Sequence, residues 1–221
     1  MAITSKISES FNAAVRDHKD NFGWQGLVYP KGRMAIFNVP ETAGVLQTQF
    51  VQNVITGAWC TFSNMNANCW GLLNDNLYFA GNGGIVYRAD YGVADIGSEI
   101  TGEMKTAFSA CGVSGNKFFK AMRPFMSSPG TSEILADVDV DFEDETPENS
   151  FAEGLGSPGI WDVSLWDVAY WDTDPAPVKK WQSVGKIGVF AAPHIIVNGS
   201  GGAVRIDDFA MLFEPSAGSI Y

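Results

Sequence analysis

Apolar and polar residues alternate along most of this chain, which is the period of β-strands; only the N-terminal segment repeats at helical spacing. There Ile7, Phe11, Ala14 and Val15 fall on one stripe behind a possible cap at Thr4 or Ser5. The pattern predicts an amphipathic helix over residues 4–19, closed by Asn21-Phe22-Gly23. Met34 to Val39 then reads as a strand that Pro40 stops. Thr48 to Ile55 alternates and turns at Thr56-Gly57 into Ala58 to Phe62, a hairpin. Three short runs follow: Trp70 to Leu73, Leu77 to Ala80 and Ile85 to Arg88. They are separated by Asn74-Asp75-Asn76 and by Gly81-Asn82-Gly83-Gly84, residues that tolerate the positive φ of tight turns. This compact meander, opened by a tryptophan, reads like a β-propeller blade, with Trp70, Leu77 and Phe79 inward and Tyr78 outward.

The second half carries longer runs. Ile100 to Ala110 suits a long strand, although Glu103-Met104-Lys105 also suits a helix. Lys117 to Met126 and Ser132 to Phe142 read as a pair of long strands joined through the turn signature Ser127-Ser128-Pro129-Gly130. Residues 143–160 are polar, acidic and rich in Gly and Pro, as in an exposed loop. Ile187 to Val197 and Ala203 to Phe213 flank Asn198 to Gly202 as a long hairpin. The expected fold is all-β: partial propeller-like meanders, additional long antiparallel strands and one N-terminal helix. The expected divisions are a helix over 1–22, meanders and long strands over 23–142, an acidic loop and Trp-Asp segment over 143–180, and a C-terminal hairpin over 181–221.

With 221 residues, 46% of them hydrophobic, the chain can bury a substantial core. A net charge of −11 argues against general binding to nucleic-acid phosphates. Cys60, Cys69 and Cys111 form no paired motif and are expected as free thiols. No hydrophobic signal core opens the sequence, and no apolar run approaches the ~20 residues that span a bilayer.

Two features carry candidate chemistry. Asp137, Asp139 and Asp141 alternate with Val138, Val140 and Phe142, and Glu143 continues the parity, so a strand would put the carboxylates on one face. That face is read as solvated or as lining a channel. A calcium site is disfavoured, because carboxylates about 6.5–7 Å apart on a flat strand suit one ion poorly. Trp161, Trp166 and Trp171 recur every five residues, each followed by Asp, which is neither a strand nor a helix period. They are read as interface anchors; a carbohydrate-binding platform is the alternative. A glycosidase using Asp137, Asp139 or Glu143 is a third reading. His18 is expected in solvent and His194 in a structural role. No nucleotide, zinc or nucleophile motif is present, and no cofactor is expected.

The run from Gln49 to Gly92, QFVQNVITGAWCTFSNMNANCWGLLNDNLYFAGNGGIVYRADYG, resembles a signature of the tail hub or nozzle proteins of short-tailed bacteriophages. In that family a strand ending Tyr-Pro and one close to MAIFNVP precede a TGAW hairpin and an NDxLYF-GxxGxVY meander. Here Tyr29-Pro30, Met34 to Pro40, Thr56 to Trp59 and Asn74 to Tyr87 occupy those positions. The stretch Gly188 to Gly218, with Phe213-Glu214-Pro215, resembles the family's closing strands. Members are usually several times longer, so the likeness is to their C-terminal part. It implies a non-enzymatic virion component, assembled in the host cytoplasm. The self-association it implies is a ring, a hexamer. It further implies contacts with adaptor and fibre proteins, and DNA that passes without specific binding.

Overall fold

The computed structural model describes residues 3–128, 133–148, 150, 176–178, 180–199 and 204–215. The chain divides into two compact units, Met1–Gly92 and Val93–Tyr221. The expected 23–142 segment is therefore split between them. The fold is all-β apart from one N-terminal helix, and every strand pairing among the described residues is antiparallel.

In the first unit, a 3-10 turn over Ile3–Ile7 leads into helix α1 (Ser8–His18). Thr4 and Ser5 lie inside that turn, so neither caps the helix; Ile7 stands at its N-cap without a side-chain bond. Strands β1 (Gln25–Tyr29), β2 (Met34–Thr42), β3 (Leu46–Asn53) and β4 (Trp59–Phe62) form one sheet in that order. Strands β5 (Cys69–Leu73), β6 (Asn76–Ala80) and β7 (Val86–Arg88) form a second, the expected meander. The period of two sorts β2 and β3 into two faces. Ile36 pairs with Val51 and turns toward Trp70 and Leu77 of the meander; Phe37 pairs with Phe50 on the opposite face. On that opposite face α1 supplies Phe11, whose ring lies 6.3 Å from Phe37 and 6.0 Å from Phe50. Pro40 does not stop β2. The strand runs on to Thr42 through an irregularity after Pro40, which keeps its place opposite Gln47. A propeller needs about four blades or more, and this unit supplies two sheets around one shared core.

The second unit contains β8 (Ile100–Lys105), β9 (Lys117–Ser128), β10 (Glu133–Val140), β11 (Ala176–Val178), β12 (Gln182–Gly188), β13 (Ala191–Gly199) and β14 (Arg205–Pro215). One sheet has the order β10-β13-β8. In the other, β9 is central: β14 runs along one edge, while β12 and β11 share the other. Phe119, Met122 and Met126 of β9 meet Ile134, Ala136 and Val138 of β10 and Ile195 of β13 in the core between the sheets. Two expected hairpins dissolve in this arrangement. β9 and β10 lie in different sheets, and so do β13 and β14. The 100–110 region is a strand only as far as Lys105.

Candidate functional site

The outer face of the β10-β13-β8 sheet gathers the ionisable side chains. Asp137 stands opposite His194, and His194 opposite Lys105, so one row crosses all three strands; Asp139 follows two residues along on the same face. This is the reverse of the face that Ile134, Ala136 and Val138 present to the core. Beyond β10 the chain folds back over the row. Residues 141–148 form an acidic strap, with Pro147 buried and Ser150 bridged to Leu135 of β10. The expected exposed loop is therefore attached to the sheet along its first residues.

Asp139 is the centre of the cluster and is 1% exposed. Its Oδ2 lies 2.5 Å from Lys105 Nζ and 3.2 Å from His194 Nδ1. Lys105 Nζ also donates to Asp144 Oδ1 at 2.8 Å, on the strap. His194 Nδ1 is 3.0 Å from the carbonyl oxygen of Glu145, and Nε2 is 2.9 Å from Glu103 Oε1. The groups that face the two ring nitrogens, Asp139 Oδ2, the Glu145 carbonyl and Glu103 Oε1, are all oxygens. Lys186 closes the other end, 3.2 Å from Asp137 Oδ2 and 2.7 Å from Glu145 Oε2. The hydrogen bonds to Asp139 and Asp144 raise Lys105 above the ordinary lysine value, and the same ammonium lowers Asp144. Burial pulls Lys186 down, but Glu145 and Asp137 outweigh it and the net shift is upward.

Asp139, Asp144 and His194 bring ligand atoms within 4.8 Å of one another, close enough for a metal ion. Lys105 Nζ already holds the cation position between the two carboxylates, and His194 Nδ1 faces a carbonyl rather than offering a lone pair. The cluster is thus compensated from within.

No family model and no curated protein matches this chain. Its candidate sites therefore rest on the residues themselves. The four carboxylates expected on one solvated or channel-lining face have four different environments. Asp139 is buried, against expectation, because the strap, Lys105 and His194 cover it. Asp137 is partly covered and paired with Lys186. Asp141 has left the strand, and its Oδ1 accepts the backbone N–H groups of Val189 and Phe190 at 2.8 and 2.9 Å. Glu143 is exposed on the strap, and its carbonyl is 3.4 Å from Lys105 Nζ. Trp161, Trp166 and Trp171 lie outside the described residues. His194 is buried, as a structural histidine requires. Cys60, Cys69 and Cys111 are free thiols, and burial pushes Cys60 upward.

The first unit has an open cleft of about 430 Å³ lined by Phe22, Trp24 and the amides of Asn21, Gln25 and Asn68. Those amides serve the fold: Asn21 Nδ2 donates to the carbonyls of Pro40 and Glu41, and Gln25 bonds the backbone of Trp70 in both directions. Among the described residues no helix is long and apolar enough to cross a membrane.

Proposed function

We propose that this chain is a structural protein of a phage tail, a hub or nozzle subunit that assembles with itself into a ring through which the genome passes. One observation carries the reading. The residues that bear the resemblance are the framework of the first unit: Tyr29, Ile36, Val51, Trp70 and Leu77 of those segments come together as its buried core. A resemblance seated in buried framework residues supports a shared fold, because those residues set the packing. The outer face of the meander adds to it. Leu73 and Val86 share the face turned away from Trp70, and they are 62% and 68% exposed. They stand at opposite ends of that face, where exposed aliphatic side chains suit a subunit contact. The net charge of −11 suits a conduit that repels DNA.

Native mass spectrometry of the purified chain, together with protein analysis of purified particles, tests the reading. A closed ring, a hexamer by the resemblance, and presence in particles are expected. A stable monomer that is absent from particles overturns it.

A further inference from the structure

Asp141 and Phe142 follow β10 with φ of +49° and +68°. The N–H of Glu143 donates back to the carbonyl of Val140 at 3.0 Å, so the pair forms the centre of a mirror-image tight turn. Asn, Asp and Gly take this backbone at little cost; a phenylalanine does not. The turn is nevertheless held firmly. Asp141 N–H donates to Phe190 O at 3.0 Å, and its carboxylate receives the two N–H groups named above. The ring of Phe142 lies 4.6 Å from that of Phe108 and 5.4 Å from that of Phe190. Phe142 still keeps 68% of its surface open. Core packing does not account for a bulky ring set on strained backbone and left in water, and strain of this kind concentrates at functional surfaces.

The surroundings of this ring are acidic. Glu143, Asp144, Glu145 and Glu148 follow it along the strap, all exposed, and Lys105 and Lys186 compensate two of them. One cation already uses the cluster: Lys105 Nζ lies 5.2 Å from the centre of the Phe108 ring. We propose that Phe142, with Phe108 and Phe190, anchors a docking surface for a basic segment of another protein, one that carries arginine beside an aliphatic side chain. A guanidinium stacks on an aromatic face and pairs with flanking carboxylates in the same approach. A second copy of this chain carries a net charge of −11, so the strap repels it as a whole. The inference does not depend on the tail reading, because it concerns this surface alone.

Binding of a short arginine-leucine peptide to the full chain, followed by fluorescence anisotropy at low and high salt, tests it. The controls are an arginine-serine peptide and a glutamate-leucine peptide. The decisive variant is Phe142→Asn, which keeps every charge and suits the left-handed backbone. The variant is expected to melt no lower than the parent and to bind the arginine-leucine peptide at least about tenfold more weakly. Undiminished binding to Phe142→Asn shows attraction by charge alone and overturns the proposal, as does equal binding of the glutamate-leucine peptide. Equal binding of the arginine-serine peptide overturns the aliphatic part of the assignment. A large drop in melting temperature with affinity unchanged makes Phe142 a packing residue and also overturns it. Ring assembly in the same variant, read by native mass spectrometry, separates the two proposals: a ring that persists while peptide binding is lost leaves the tail reading standing.

Discussion

The indole N–H of Trp70 donates to Asn38 Oδ1 at 3.1 Å, joining β5 to β2 across the core of the first unit. Gln49 Nε2 donates to the same oxygen at 2.8 Å, and Asn38 Nδ2 serves the carbonyls of Gly23 and Ala67. Asn38 has no exposed surface, so each of these groups depends on it. Trp70→Ala is expected to cost about 3–5 kcal/mol through the cavity it leaves. Trp70→Phe keeps most of the apolar volume but leaves Asn38 Oδ1 one donor short, at about 1–3 kcal/mol. Asn38→Leu leaves several buried groups unpaired at once, at about 1–3 kcal/mol each, against a total stability of about 5–15 kcal/mol. It is expected to unfold the unit. Denaturant titrations followed by tryptophan fluorescence rank the three variants; Asn38→Leu as mild as Trp70→Phe would show that the network is dispensable.

The turn between β5 and β6 gives a second prediction. Asn74 and Asp75 have φ of +50° and +58°, and Leu73 pairs directly with Asn76. Asp75→Val is expected to cost about 1–2 kcal/mol, because a β-branched residue resists left-handed backbone. Asp75→Gly relaxes that backbone and should change stability by less than about 1 kcal/mol. Melting curves of the pair check the sign and the order.

These two cases also mark what the sequence makes legible. Asn74-Asp75 announces its turn because the backbone requirement and the residues that meet it are the same two positions. Trp70 and Leu77 announce the core because alternation sets the face of a strand. Alternation does not say which sheet a strand joins. Ser127 to Gly130 and Asn198 to Gly202 look like hairpin turns, yet β9 pairs with β12 and β14, and β13 pairs with β10 and β8. The ionic cluster was hidden for the same reason. Period two correctly puts Asp137 and Asp139 on one face, but Lys105 and His194 reach that face only through long-range pairing. No local signal could have told a solvated carboxylate from a buried one.

Two glycines of β12 separate clash from strain. A Cβ on Gly188 would stand 2.8 Å from Val140 Cβ and 3.0 Å from Asp141 Oδ2, whereas Gly185 has open space and φ of +71°. Gly188→Ala is expected to cost about 1–3 kcal/mol by overpacking, and Gly188→Asn more. Gly185→Ala should cost about 1–2 kcal/mol through its backbone alone, and Gly185→Asn markedly less. Thermal melts of the four variants should show asparagine as the better substitute at 185 and the worse one at 188.

The strap over Asp139 should be held across the neutral range and loosened at both extremes of pH. Lys105 and Lys186 are raised in the folded chain, so their contribution is fully present below the ordinary lysine value of 10.5 and is lost as pH rises through the raised values. Asp144 is lowered, so its contribution is present above the ordinary value of 3.8 and is lost as pH falls through the depressed one. Hydrogen exchange of the Glu143 amide, which donates to Val140 O at the start of the strap, compared with β9 amides as a reference for global unfolding, is the measurement. After correction for the intrinsic pH dependence of exchange, the strap should lose protection at alkaline pH before β9 does. Lys105→Met should bring that loss to neutral pH and lower the melting temperature, because Asp139 then stays buried without its ammonium. The double variant Lys105→Met with Asp139→Leu should recover most of the melting temperature while leaving the strap loose, since Asp144 still has no ammonium to hold it. A single variant with parental protection of the strap would mean that Lys186 and the Asp141 carboxylate hold it unaided.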